Sequence, residues 1–144
     1  LFVSTTGSDA DFVVKLIDVN PGKMDVAPGQ VTRGSQQTLV RGEPFRARFR
    51  EGFDKPKAFT PNQVTPVKFA INDVMHTFQR GHRIMIQIHS SWFPFIDRNP
   101  QKYVDNIFEA KQSDFIKATH RLYRGNQQNS LLKVQILPAF DEAK

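Results

Sequence analysis

The residues whose types invite chemistry gather between positions 73 and 100, with one outlier at His120. His76 and His82 flank Gly81, a turn signal, so a strand-turn-strand path would bring the two imidazoles together. Two histidines and Asp73 would make a three-ligand metal site. No carboxylate spacing completes that site, and the favoured reading is a pair of hydrogen-bonding histidines in a hairpin, satisfying backbone groups. No metal and no cofactor is expected. His89 is followed by Ser90 and Ser91, which raises a Ser-His nucleophile. Successive strand residues point to opposite faces, so His89 does not reach Ser90 as a base, and the serines read as strand-end hydroxyls. His120 lies on an otherwise apolar face and is expected in the core.

Absences narrow the chemistry further. The chain has no G-x-S-x-G nucleophile elbow, no H-E-x-x-H, no G-x-G-x-x-G and no P-loop. No catalytic residue is assigned. What remains is an aromatic loop: Ser90, Ser91, Trp92, Phe93, Pro94, Phe95, then Asp97 and Arg98. Trp, Phe and Arg are the types enriched at interface hot spots, so these eight residues are expected to form an interdomain surface or pocket rim. A purely structural role would have Asp97 cap a turn and Arg98 pair with a carboxylate.

The elements that must position this loop read as strands. Ile84, Ile86 and Ile88 alternate with Met85, Gln87 and His89, predicting a strand whose isoleucine face is buried. Residues 1–6 are a short strand ended by Gly7-Ser8-Asp9, and residues 12–19 are apolar on both alternating faces, as in a strand buried between layers. Residues 20–23 form a turn and 23–36 a loop. Residues 45–50 alternate Phe45, Ala47, Phe49 against Arg46, Arg48, Arg50, predicting a strand with a solvated arginine face. Such a stripe could track phosphates, but single-strand platforms place aromatics on the basic face and here they oppose it. Strands are also expected over 65–71, 116–123 and 131–137, with Pro138 closing the last; residues 101–115 are a helical turn or an irregular loop.

Seven or so strands with Gly, Pro and Asn turns give an all-β chain, a β-sandwich or jelly roll. At 144 residues, 39% hydrophobic and 24% charged, it is one domain, residues 1–138, with a loose tail over 139–144. Thirteen Phe against two Tyr and one Trp put most aromatics in a core or an interface. The net charge of +6 suits an anionic partner or simple solubility, and zero Cys excludes disulfides and Cys-ligated zinc. No apolar run approaches the roughly 20 residues of a membrane helix. The chain opens in strand-like sequence without Met, which predicts a piece of a longer polypeptide.

Two motifs carry a resemblance. V-S-T-T-G-S-D-A-D-F-V-V-K-L-I-D-V-N-P-G and H-T-F-Q-R-G-H-R-I-M-I-Q-I-H-S-S-W-F-P-F-I-D-R-N-P are similar to the C-terminal domain of the X-Pro dipeptidyl-peptidase-like serine hydrolases. That family takes in cocaine esterase, α-amino-acid ester hydrolases and cephalosporin (glutaryl) acylases. The resemblance covers residues 1 to about 138, and the S-S-W-F-P form is nearest the acylase and ester-hydrolase branch. It implies a jelly-roll sandwich, galactose-binding-like, packed on an upstream α/β-hydrolase domain of the same polypeptide that holds the Ser-His-Asp machinery. It implies too that the first strands of the jelly roll precede Leu1, leaving an exposed edge. The expected function is thus a non-catalytic domain that braces the catalytic domain and helps wall its substrate pocket. The rival is a carbohydrate-binding jelly roll, which usually shows more Trp and Tyr. A nucleic-acid module ranks third. Substrate, compartment and homo-oligomeric state stay open.

Overall fold

In the computed structural model, residues 1–21 and 35–137 are described. The expected loop over 23–36, Pro138 and the tail over 139–144 lie largely or wholly outside them. The described residues form two antiparallel three-stranded sheets with no α-helix. In chain order the strands are β1 (Phe2–Thr5), β2 (Asp11–Val19), β3 (Gln37–Arg46), β4 (Thr65–Pro66), β5 (Arg83–His89) and β6 (His120–Leu122). One sheet runs β4-β1-β6 and the other β3-β2-β5.

β2 is the central strand of its sheet, paired with both β3 and β5, and that position explains its apolar run. Phe12, Val13, Val14, Ile17 and Val19 are all buried. A register shift at Leu16/Ile17 makes a bulge opposite residues 39–41. Pro44 is tolerated because β3 lies at the sheet edge. β1 is central in the other sheet, flanked by β4 and β6, so no exposed edge lies along it. The core fills the space between the sheets: Val3, Ala10, Phe12, Ala47, Phe59 and Val67, with Leu1, Phe45, Phe69 and Ile88 packed around them.

Several expectations about elements are corrected. The alternation over residues 45–50 does not continue as a strand. The ladder ends at Arg46 and Ala47–Phe49 is a 3₁₀ turn that buries Ala47 and Arg48. No arginine face is solvated there: Arg48 is 3% exposed, and Arg50 donates to the carbonyls of Lys57 and Ala58 at 2.6 and 2.8 Å. Residues 65–71 hold a ladder only at Thr65–Pro66. Beyond it Val67 enters the core and Phe69 stacks on Phe45, with ring centroids 4.8 Å apart. Residues 72–73 then lie against the same sheet, Asn72 on the Glu43 carboxylate and the Asp73 carbonyl on Arg41. The isoleucine face is only partly buried. Ile88 joins the core, while Ile84 and Ile86 are 61% and 38% exposed. Among the described residues, only His120–Leu122 of the stretch 116–123 join a ladder, and residues 131–137 join no sheet. Residues 101–115 contain two 3₁₀ turns, Ile107–Glu109 and Gln112–Asp114. Residues 37–44, passed over in the sequence, form most of β3.

Candidate functional site

The aromatic loop leaves β5 at His89 and is fixed at both ends and in its middle. At its exit Asn99 is buried, donating from Nδ2 to Asp11 Oδ1 at 2.9 Å and accepting the Gln101 amide at Oδ1 at 2.7 Å. Gln101 adopts φ 66°, and its carbonyl accepts the Ser8 and Asp9 amides at 2.9 and 3.2 Å. In the middle, the Ile96 amide closes a turn onto the Trp92 carbonyl at 3.1 Å, around a cis Phe93–Pro94 bond. The Trp92 indole lies on β3 at Gly42, so close that a Cβ there would stand 2.5 Å from Cη2 and 2.8 Å from Cζ3. Glycine inside a strand marks such a close approach. Lys15 Nζ sits 4.3 Å from the Trp92 ring centroid and Phe95 packs on it at a tilt, with centroids 4.7 Å apart.

This seat leaves the other two rings outward. Phe93 and Phe95 are 59% and 71% exposed. Among the described residues Arg98 pairs with no carboxylate but stacks 4.6 Å over Phe93, in place of the ion pair expected of it. Asp97, Ser90, Ser91 and Pro94 are exposed. Among the described residues Asp97 makes no capping bond, and neither serine bonds to His89, whose Nε2 meets Gln87 Oε1 at 3.1 Å. Next to the loop is an open cleft of about 650 Å³, lined by Phe45, Phe49, Phe53, Phe69, Arg46 and Ile96 among others.

Beneath the loop is a buried ionic network that the sequence did not disclose. Arg48 forks Nε and Nη2 onto Asp9 Oδ2, donates Nη1 to the Val104 carbonyl at 2.7 Å, and stacks 4.3 Å from the Tyr103 ring. Asp9 Oδ1 accepts the Ala10 amide at 2.9 Å. Beside it, Asp11 faces Arg46 Nε at 3.4 Å and Asn99. Burial pushes the Asp11 carboxyl up, more than Arg46 and Asn99 pull it down. This network clamps residues 9–11 of one sheet connection to the loop exit.

His76 and His82 do come together, but on a carboxylate rather than on backbone groups. His76 Nε2 and His82 Nδ1 each approach one oxygen of Asp18 at 2.8 Å. Asp73, the third ligand considered, offers its backbone carbonyl to Arg41. No group of three His, Cys, Asp or Glu among the described residues is arranged to hold a metal. Burial would raise the Asp18 carboxyl, but the hydrogen bonds from His76 and His82 outweigh it and hold the group below the usual carboxylate range. A folded-state pKa below the unfolded one contributes stability above the ordinary value of about 3.9, lost as pH falls through the folded one. Asp18→Asn is therefore expected to lower the urea midpoint at pH 7, with the gap to the native chain closing below about pH 4. His120 is half-buried, its Nε2 on Gln101 Oε1 at 2.7 Å and its ring edge-on to Phe12, and burial lowers its pKa.

The site therefore holds a fixed aromatic surface over a buried ionic clamp. Residues 1–133 match the X-Pro dipeptidyl-peptidase C-terminal non-catalytic domain. The chain belongs to that family. The chain is 30% identical over 138 residues to the cocaine esterase of Rhodococcus sp. (strain MB1 Bresler), covering 95% of this chain and 22% of the esterase. It is similar to the solved structure of an α-amino acid ester hydrolase labelled with selenomethionine, with 48% identity and a TM-score of 0.82. It is similar too to an aminopeptidase from a marine sediment archaeon, Thaumarchaeota archaeon, with 44% identity and a TM-score of 0.82. Each of those structural matches covers 89% of this chain and 20% of the other. The chain thus spans about a fifth of the length of these relatives. Family membership places it with non-catalytic domains, as the two sequence motifs implied, and not with carbohydrate-binding modules.

Proposed function

We propose that this chain is the C-terminal β-sandwich, of jelly-roll type over residues 1–138, of a serine hydrolase that cleaves ester or amide bonds. The catalytic machinery lies in an α/β-hydrolase portion of the same polypeptide, and this domain braces it. Residues 90–98 are the docking surface and help wall the substrate pocket. The reading is supported by the three relatives, whose names all describe cleavage of an acyl bond to oxygen or nitrogen. The observation that carries the loop's role is its geometry: Phe93 and Phe95 are held outward by a seat built from Gly42, Lys15 and Trp92. Covering each phenylalanine is worth up to about 1.5–3 kcal/mol, and a ring already fixed in place loses little entropy on docking.

The experiment is a pair of substitutions in the parent polypeptide. Trp92→Ala removes the support and Gly42→Ala displaces it, since the new methyl occupies the space of the indole edge. The ring is half-buried, so Trp92→Ala is expected to cost the sandwich itself only about 1–2 kcal/mol. Both variants are expected to lower kcat/KM on the parent's ester or amide substrate by roughly tenfold or more, through misplacement of the pocket wall. Unchanged kcat/KM together with an unchanged thermal midpoint would make the loop ordinary surface.

A further inference from the structure

His120 ties β6 to the exit of the aromatic loop through a chain of side-chain hydrogen bonds. Its Nε2 meets Gln101 Oε1 at 2.7 Å. Gln101 Nε2 is committed to the Asn99 carbonyl at 3.1 Å, so the oxygen of that amide faces the imidazole and the imidazole donates. Asn99 continues the chain to Asp11 Oδ1 on β2 at 2.9 Å. With the single proton of its neutral form on Nε2, His120 leaves Nδ1 bare. That nitrogen is closed to solvent and, among the described residues, has no hydrogen-bond partner. The Phe12 ring stands beside the imidazole, with centroids 5.8 Å apart. Gln101 itself sits at φ 66°, a conformation that a non-glycine residue keeps only where its surroundings enforce it.

A second proton on this ring would place an N–H and a charge where neither has a partner. No free carboxylate stands ready to receive them among the described neighbours. β1 offers Thr5 across the ladder, and Phe2–Thr5 contains no titratable side chain. Asp9 is taken by Arg48, and Asp11 by Arg46 and Asn99. At the loop exit Lys102 is drawn to Asp114, and Tyr103 lies under Arg48. On β6 itself Arg121 reaches toward Asn62. Burial lowers the His120 pKa, and no neighbouring charge offsets it. We infer that His120 is an acid-sensitive latch: on taking a second proton its imidazole leaves Gln101, and the Asn99–Gln101 root of the aromatic loop opens. The folded value lies below the unfolded one of about 6.5, so the stability of the closed root is full above that value. It is lost as pH falls from there toward the folded value. The latch belongs to the fold of this chain and does not depend on the docking role of the loop.

Hydrogen exchange of the Gln101 amide in the parent polypeptide tests this, with its rate taken relative to unstructured peptide at each pH. That amide donates to Asn99 Oδ1 at 2.7 Å and so reports the root directly. Its protection is expected to fall roughly threefold to tenfold between about pH 7.5 and 5.5, tenfold being the limit for one proton taken up at about 6.5. In His120→Gln the new amide keeps a donor for Gln101 and takes up no proton, so the fall is expected to vanish. The variant keeps Asp11 and the other three histidines, and the difference between the two proteins therefore reports position 120. A fall of less than threefold in the native protein overturns the inference, and so does the same fall in His120→Gln. A second measurement does not require the variant to fold. Exchange of the imidazole C2 hydrogen over a pH series, read by mass spectrometry, is expected to place the His120 pKa below about 6.5. A value at or above that also overturns the latch.

Discussion

Arg48→Ala is expected to cost about 3–5 kcal/mol of folding stability, because it strands the Asp9 carboxylate in the interior. For a chain of this size that is roughly 10–20 °C in the thermal midpoint. Arg48 and Asp9 have side chains only 4% and 0% exposed. The guanidinium forks onto one carboxylate oxygen, holds the Val104 carbonyl and stacks on Tyr103, so truncation breaks three contacts at once. A lysine in its place keeps the charge and loses the fork, and Arg48→Lys is expected to fall between the two. The double variant Asp9→Ala, Arg48→Ala is expected to lose less than the sum of the single changes, since the orphaned charge is gone. Thermal denaturation followed by circular dichroism reads these variants, Asp9→Ala alone included, against the native chain. A loss below about 1 kcal/mol for Arg48→Ala would mean that Asp9 finds water or a proton in place of its partner.

Gly7→Ala is expected to cost about 3 kcal/mol, for a steric rather than an electrostatic reason. A methyl at residue 7 would overlap the Gln101 carbonyl oxygen and stand 3.2 Å from its carbon. That carbonyl is fixed, because it accepts both the Ser8 and the Asp9 amides. Relief requires moving the Gln101 peptide, and Asn99 and Pro100, the buried exit of the aromatic loop, move with it. Gly125 supplies the control: a methyl there meets nothing within 4 Å, so Gly125→Ala is expected to stay within about 0.5 kcal/mol. Equal midpoints for the two variants in a urea titration would contradict the close approach at residue 7.

The difference between what was legible in the sequence and what was not follows from the range of each interaction. β2 and β5 could be read locally, because a doubly buried strand is apolar on both faces and a flanking strand alternates. The family could be read too, from two long motifs, residues 3–22 and 76–100. Arg48 could not. Alternation over residues 45–50 is satisfied equally by a strand and by a strand that coils into a 3₁₀ turn, and only Asp9, 39 residues away, decides which. The turn at Gly81 marks His76 and His82 as neighbours, yet their common partner Asp18 lies 58 and 64 residues back. Gly42 did leave a local trace, as a glycine within a β run, but Trp92 is what gives it meaning. Ile84 and Ile86 obey the strand period and remain exposed, because periodicity marks which face is apolar and not what covers it.

The docking role of the loop is tested most directly by side-chain oxidation with hydroxyl radicals, read by mass spectrometry at Phe93 and Phe95. In this chain both rings are open, at 59% and 71% exposure, and both are expected to label readily. In the longer polypeptide proposed above, the same rings are expected to be protected several-fold, the proposed docking placing the catalytic portion over them. Labelling of Phe93 and Phe95 at the same rate in parent and chain would contradict the account, and the aromatic loop would then be a free surface of the sandwich.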